Sequence, residues 1–520
     1  MSRSTPKSLA GLRVALANED WNSATEILED DWAFLVGNHM DRVRDALVAF
    51  PESVIDAKPV LRAAREVIVG WGASGQFLGP LPSRADELAD LGASARVSDV
   101  LVIGTVQACL LRFSGIFTQA AELAYRLERV ASSAVSAQPD VVAAAVPIVR
   151  LQWAITCQLA GRHHDAITLL RLAYAGARAV GIDFVVRNAA GSLAMSHVLS
   201  GDLPAARKWL SLWEETDPGA VMLESRVRVS GLVARMLIAL EELDLPAAKE
   251  ASDTLGELGD NEELWAYALF ARAQYGLLSG YAQEAIDRVD QLTTVNSRWC
   301  TPGSDAEDLL RSVSVDLHCA LGRGNNARTA LNGRSDAHPS VAVSRARLEL
   351  LTGNEEAALT ASVRITAAAG RDEQRALVDA LLVQAAASIR LGSESDAVEA
   401  CRRAMVQAQT NGAMRPFALL PPAVAKELVA AGASFPRGWA ESGHTDRGAV
   451  FPDTVALVDL TNREQVVLAA LADGLSVPEI AADLFVSQNT VRSQVRSLFR
   501  KLDVHSRDDA VRRAAVLRLL

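Results

Sequence analysis

The stretch LQWAITCQLAGRHHDAITLLRLAYAG, residues 151–176, reads as two helices joined by a tight turn. Its apolar run from Leu151 to Leu159 keeps helical spacing and stops just before Gly161. Glycine takes a left-handed backbone without a Cβ penalty and so ends a helix cleanly. A short polar segment follows, and then Ala166, Ile167, Leu170, Ala173 and Ala177 restore the helical period. The small Ala166, five residues after the glycine, lets the two backbones approach each other. The same step recurs at Gly115/Ala120, Gly201/Ala206, Gly280/Ala285, Gly322/Ala327, Gly353/Ala358 and Gly392/Ala397, and an eighth unit fits with Leu243 in the glycine slot and Ala248 in the alanine slot. Successive anchors lie 31 to 46 residues apart, about 40 on average. One helix pair cannot bury its own apolar face, so neighbouring pairs must stack, which predicts an all-α solenoid.

Residues 113–433 are the repeat array proper. Residues 1–112 read as irregular N-terminal units of it: Asp20 to Ala24 and Pro51 to Leu61 look like array entries, and a turn-rich stretch from Gly70 to Pro82 interrupts them. The pattern resembles the degenerate tetratricopeptide array of MalT-like bacterial regulators. An irregular armadillo-like array is the structural alternative, because its period is similar.

The chain has 520 residues, 52 Lys+Arg against 63 Asp+Glu, and a net charge of −11. Half of it is hydrophobic and only 5% aromatic, a balance that favours helices over sheets. As an average, the acidic charge argues against nucleic acid or an anionic membrane as partner. Cys109, Cys157, Cys300, Cys319 and Cys401 are scattered without metal or redox spacing, and read as buried apolar residues in a reducing compartment. No secretory signal opens the sequence, and the apolar run Val100 to Leu111 is shorter than the roughly 20 residues a span requires. These features predict a soluble cytoplasmic protein without a membrane partner, and the resemblance to MalT-like regulators implies a bacterial one.

Several pairs in the array invite functional readings and receive structural ones. His163-His164 reads as an exposed pair in the interhelix turn, since no further metal ligands can be placed. Trp209 and Trp213, four residues apart on one helical face, read as core packing. Arg402-Arg403 and Glu214-Glu215 read as solvated faces. No catalytic constellation is visible, so the expectation is no enzyme, no cofactor and no metal site.

After Ala433 the composition changes. Residues 434–456 carry Pro and Gly without helical periodicity and read as a linker long enough to allow domain movement. Residues 457–520 then carry three helix-start signals: Thr461 with Glu464, Ser476 with Glu479, and Ser506 with Asp509, which predicts four short helices. The third, Gln488 to Leu502, has an apolar stripe at Val491, Val495, Leu498 and Leu502. Its opposite face carries Arg492, Ser493, Arg496 and Arg500 beside Lys501, with no acid from 487 to 502. A short helix, a tight turn and a helix with a cationic outer face suit the major groove of DNA.

Leu460-Thr-x-Arg-Glu464, Gly474-x-Ser476-x-x-Glu479-Ile-Ala481, Leu484-x-Val-Ser487-x-x-Thr490-Val-Arg492 and Arg500-Lys-Leu-x-Val504-x-Ser-Arg507 resemble the LuxR/GerE/FixJ-type helix-turn-helix. The resemblance implies base contacts from Arg492, Ser493 and Arg496, and backbone contacts from Ser487, Gln488, Thr490, Gln494, Arg500 and Lys501. Gln494 stands where many members carry His; it can still bind phosphate or adenine, which implies altered contacts and retained binding. The fourth helix commonly pairs two copies in this family, which makes Val511, Ala514 and Ala515 candidate dimer contacts. Array and terminal domain together resemble the C-terminal part of large ATP-binding LuxR regulators, yet the sequence holds no Gly-Lys dipeptide and hence no P-loop. No apolar strand ending in the paired aspartates of a phospho-receiver appears near its start either. The implied function is a sequence-specific transcriptional regulator, in which an array that binds a small molecule, peptide or protein controls the domain that reads double-stranded promoter DNA. The implied partners are a second copy on a pseudo-palindromic operator and RNA polymerase. The competing reading is an interaction scaffold whose terminal domain serves dimerisation or partner docking.

Overall fold

A computed structural model describes residues 7–520 apart from 31–34, 36–38, 59–60, 63, 66–80, 95, 217–223, 259–261, 333–336, 369, 371–372, 437–447, 459 and 518. Among the described residues the regular elements are helices and none is a strand. The turn-rich stretch from Gly70 to Pro82 falls mostly outside the described residues.

The repeat is built as its spacing requires. The quoted stretch forms the end of helix Val146–Leu159 and the helix His163–Val180. Between them, Arg162 N donates to Cys157 O at 2.8 Å and Gly161 N to Gln158 O at 2.9 Å, a pair of bonds that satisfies the last carbonyls of the first helix. The same pair recurs at 115–116, 201–202, 243–244, 322–323, 353–354 and 392–393. All seven anchor glycines have φ between 68° and 90°. Leu243 takes the same conformation with φ 63°, at a cost of about 1 kcal/mol for a residue with a side chain. Its side chain is 4% exposed, and that burial offsets the strain.

The alanines five residues on are the crossing points. Ala120, Ala166, Ala206, Ala248, Ala327, Ala358 and Ala397 are all fully buried. Ala285 is half-buried, and it faces Gly276 so closely that a Cβ there would lie 2.6 Å from its own.

The chain divides into two compact units, residues 1–271 with 293–307, and residues 272–292 with 308–520. The first unit has a large apolar cluster around Leu127, Trp153, Leu170 and Leu193, and a smaller one around Leu12, Leu28, Leu47 and Phe50. Trp153 is fully buried, and its Nε1 donates to Thr105 Oγ1 at 2.9 Å. The apolar run Val100 to Leu111 lies in helix Val97–Phe113, and among the described residues no single helix is long and apolar enough to cross a membrane. The second unit packs Leu381, Leu382, Ala386 and Phe417 in one cluster and the terminal domain around another. Consecutive helices pack together at Val146–Leu159 with His163–Val180 and at Gln374–Arg390 with Glu394–Asn411, and next-but-one helices touch at Val146–Leu159 with Asp183–Ser200 and at Pro339–Leu351 with Gln374–Arg390.

Some local expectations change. His163 is only half-exposed at the start of its helix, and its Nε2 lies 3.1 Å from the buried Asp305, whose other oxygen accepts from Tyr267 Oη at 2.7 Å; His164 is exposed. The pair is therefore one structural histidine and one surface histidine. Trp213 is 4% exposed beneath the Arg187 guanidinium, 4.4 Å from its ring centroid, while Trp209 packs edge-on to Tyr174 at 5.0 Å. Four cysteines are buried and Cys300 is half-buried; burial pushes the Cys157 thiol up to about 12 and that of Cys401 up to about 11.

Trp213 sits where a neighbouring helix has no side chain: a Cβ on Gly231 would lie 2.3 Å from its ring. Trp213→Ala should cost about 3–5 kcal/mol in urea denaturation, and Gly231→Val about 1–3 kcal/mol. The two should not add, because the valine fills space that the ring vacates. Additive losses would show that the two positions do not share this contact.

Candidate nucleic-acid interface

The terminal domain consists of helices Asn462–Ala472, Val477–Asp483, Gln488–Leu502 and Arg507–Val516. The first, second and fourth start on the caps read from the sequence. Thr461 N donates to Glu464 Oε2 at 2.7 Å while Glu464 N donates back to Thr461 Oγ1 at 3.3 Å. Ser476 N donates to Glu479 Oε2 at 2.7 Å, and Asp509 N donates to Ser506 Oγ at 3.1 Å. The third helix has its own cap, with Thr490 N donating to Ser487 Oγ at 3.1 Å. Capping groups of this kind are worth about 1 kcal/mol each. Between the second and third helices the chain turns at Phe485, a non-glycine residue with φ 53°.

Val491, Leu498 and Leu502 are buried in the domain core with Val467, Leu468, Ile480 and Ala510, and Val495 packs half-buried beside them. That stripe fixes the rotation of the third helix and turns Gln488, Arg492, Ser493, Arg496 and Arg500 outward, all exposed. Ser487 is exposed as well, while Thr490 and Gln494 are half-buried at the edge of the same face. The hydroxyls of Ser487 and Thr490 lie 2.8 Å apart, so both already serve the helix start.

Lys501 is placed differently from the outward cations. Its Nζ donates to Glu464 Oε2 at 2.7 Å, and Ser497 Oγ donates to Glu464 Oε1 at 2.8 Å. Glu464 is 5% exposed. Burial pushes its carboxyl up, but Lys501, the Thr461 amide, Ser497 and the Thr461 hydroxyl together outweigh that and hold it at about 2. Lys501 thus ties the first helix to the third, with its charge matched inside the domain. Ala514 also departs from the expected dimer set: it is fully buried in the core and has no atom to offer a second copy. Val511 is half-buried and Ala515 exposed.

Three residues beyond the expected set border this face. An open notch of about 470 Å³ lies between the start of the first helix and the third, lined by Thr461, Asn462, Arg463, Glu464, Ser493, Gln494 and Ser497. Asn462 and Arg463 occupy the first turn, where unpaired backbone amides and a cation suit a phosphate; the Thr-x-Arg-Glu motif contains both but does not show which way they face. Phe485 is 95% exposed, and no periodic pattern in the sequence singles it out.

Residues 458–514 match the family described as bacterial regulatory proteins, luxR family. Among curated proteins, a nitrate/nitrite response regulator protein homolog of Haemophilus influenzae is 55% identical over 51 residues, 10% of this chain and 24% of its own. The transcriptional regulatory protein YdfI of Bacillus subtilis is 48% identical over 52 residues, 10% of this chain and 24% of its own. A probable transcriptional regulatory protein NarL of Mycobacterium tuberculosis is 46% identical over 61 residues, 12% of this chain and 28% of its own. The chain therefore spans about a quarter of the length of these relatives.

Because Glu464 titrates at about 2 when folded and near 4.5 when free, its stabilisation is complete above about pH 4.5 and is lost as the pH falls toward 2. The difference corresponds to about 3 kcal/mol. Glu464→Gln should raise hydrogen exchange in helix Asn462–Ala472 of the full chain at neutral pH, and the gap from wild type should close between pH 4.5 and 2. A gap that persists at pH 2 would mean that the carboxylate charge is not what holds the helix.

Proposed function

We propose that this chain, whose residues 458–514 are a LuxR-family helix-turn-helix domain, is a transcriptional regulator that reads promoter DNA under the control of its repeat region. The observation that carries this reading is the exposed row Arg492, Arg496 and Arg500, on a helix whose opposite stripe is locked in a core and whose residues 487–502 include no acid. Guanidiniums four residues apart on an inserted helix reach guanine edges in successive base pairs, and Ser493 between them is small enough to let the helix approach. Arg492, Ser493 and Arg496 are the base readers in this reading. Ser487, Gln488, Thr490, Gln494 and Arg500 meet the backbone, joined by Asn462 and Arg463 from the notch. Lys501 acts indirectly, by holding the recognition helix to the first helix. Two copies would pair through Val511 and Ala515 on a pseudo-palindromic operator, with RNA polymerase and an effector of the repeat region as the further partners.

With duplexes selected by the full chain from a random pool, Arg492→Ala and Arg496→Ala should each weaken specific binding by about 1–3 kcal/mol in fluorescence anisotropy and relax preference at one base position. Arg500→Ala should weaken all sequences alike and lower the slope of log affinity against log salt by about one. If Arg492→Ala weakened selected and random duplexes equally, its place as a base reader would be lost.

A further inference from the structure

Residues 451–458, at the junction with the terminal domain, are bound to the repeats of their own unit. Phe451 is fully buried and Val455 is 3% exposed, while Asp453, Thr454 and Ala456 face solvent. The segment 451–458 forms no helix. Its hold on the repeats is mostly a main-chain hold. Val455 N donates to Leu351 O at 2.7 Å, and Arg390 Nη2 donates to Asp453 O at 2.9 Å. At Val458 both main-chain groups are read by one amide: Asn325 Nδ2 donates to Val458 O at 2.9 Å, and Val458 N donates to Asn325 Oδ1 at 2.8 Å. Asn325 is 3% exposed. Its neighbour Gly324 must be glycine for the segment to lie there, since a Cβ would stand 2.6 Å from Ala456 O.

Two side chains and one charge add selectivity. The Phe451 ring lies beneath the Arg347 guanidinium, 5.4 Å from its carbon to the ring centroid. That guanidinium is held by Asp316 at 2.6 Å and Asp379 at 2.9 Å, and Asp379 is held in turn by Arg415 at 2.6 Å. The Asp453 carboxylate accepts from Ala423 N at 3.1 Å, at the start of helix Pro422–Ala430. Backbone groups bonded at Asp453, Val455 and Val458, with side-chain anchors at positions one and five and an acid at three, are features of a surface that recognises an extended peptide.

We propose that the surface formed by helices Gly324–Leu331, Pro339–Leu351, Gln374–Arg390 and Pro422–Ala430 is an extended-peptide recognition site that the chain fills with its own residues 451–458. A polypeptide partner carrying the pattern Phe-x-Asp-x-Val competes for it and releases the terminal domain from the repeats. The occupant itself supplies the chemistry of the partner. The effect of release on transcription rests on the function proposed above; the site itself does not.

The test uses the full chain and a fluorescein-labelled peptide of residues 449–459. Phe451→Ala/Val455→Ala empties the site in cis, and Asp453→Ala, at an exposed position, weakens the hold without touching a core. The peptide should bind the double variant about tenfold or more tightly than wild type, because the tethered copy no longer competes. Asp453→Ala should fall between them, and Asn325→Ala in the double variant should abolish the gain. A peptide with Ala in place of Phe and Val should bind none of them. Saturating peptide should raise hydrogen exchange of residues 451–458 in wild type. No binding to either weakened variant, equal binding to wild type and variants, or indifference to the two peptide substitutions would each overturn the site. None of these readouts involves DNA, so a chain that failed to bind DNA would refute the proposed function and leave this inference standing.

Discussion

Every repeat depends on one close approach. Two helices joined by a single left-handed turn can lie side by side only if the residue at their crossing is no larger than a methyl group. The fully buried alanines five residues after each turn meet that condition, and Gly276 against Ala285 meets it from the other side. Close approach leaves each pair thin, with too little apolar surface enclosed to stand alone, so stability is shared with the neighbouring pairs. Leu243 shows how strong the constraint is: the turn keeps its left-handed geometry at φ 63° even where the residue that makes it easy is absent.

A second constraint organises the C-terminal unit. Asp316, Arg347, Asp379 and Arg415 are each less than 10% exposed and form one continuous ionic chain. Burial raises the carboxyl of Asp316 in spite of Arg347; burial acts the same way on Asp379, but Arg415 and Arg347 outweigh it and lower that group. Buried ion pairs are poor sources of net stability, because desolvation consumes most of the attraction. Their value here is positional. Two carboxylates clamp the Arg347 guanidinium and leave its face to Phe451, so the residue that anchors the segment before the terminal domain meets a rigid surface.

What the sequence discloses depends on whether an interaction is local. The turn glycines, the crossing alanines and the caps at Thr461, Ser476 and Ser506 follow from spacings of three to five residues, and the structure places them where those spacings require. Interactions between distant positions leave no such mark. Lys501 looks like one more outward cation until Glu464, 37 residues earlier, is seen to accept from it. His163 looks exposed until Asp305, 142 residues later, arrives beside it. Ala514 shares its helical face with Ala510, which points both into the core. Residues 451–456 read as part of a linker because their hydrogen bonds to the repeats run mostly through the main chain, and two buried side chains, Phe451 and Val455, are too few to set a hydrophobic period.

These attachments bear on how control could reach DNA. The cations of residues 487–502 stand against −15 on the remaining residues, so the average acidity conceals one concentrated basic surface. The segment 451–458 enters the domain at the start of its first helix, and its contacts with the repeats involve none of Arg492, Arg496 or Arg500, which stay exposed. On the reading proposed here, the repeats of its own unit therefore do not mask the DNA face. They fix where the face stands. Two domains on one operator must present their recognition helices about one turn of duplex apart, a separation that held domains meet only in particular arrangements and released domains meet by diffusion on their tethers. Control through Phe451 and Asn325 is then control of spacing, and the acidic body adds to it by discouraging any DNA contact outside the one basic helix.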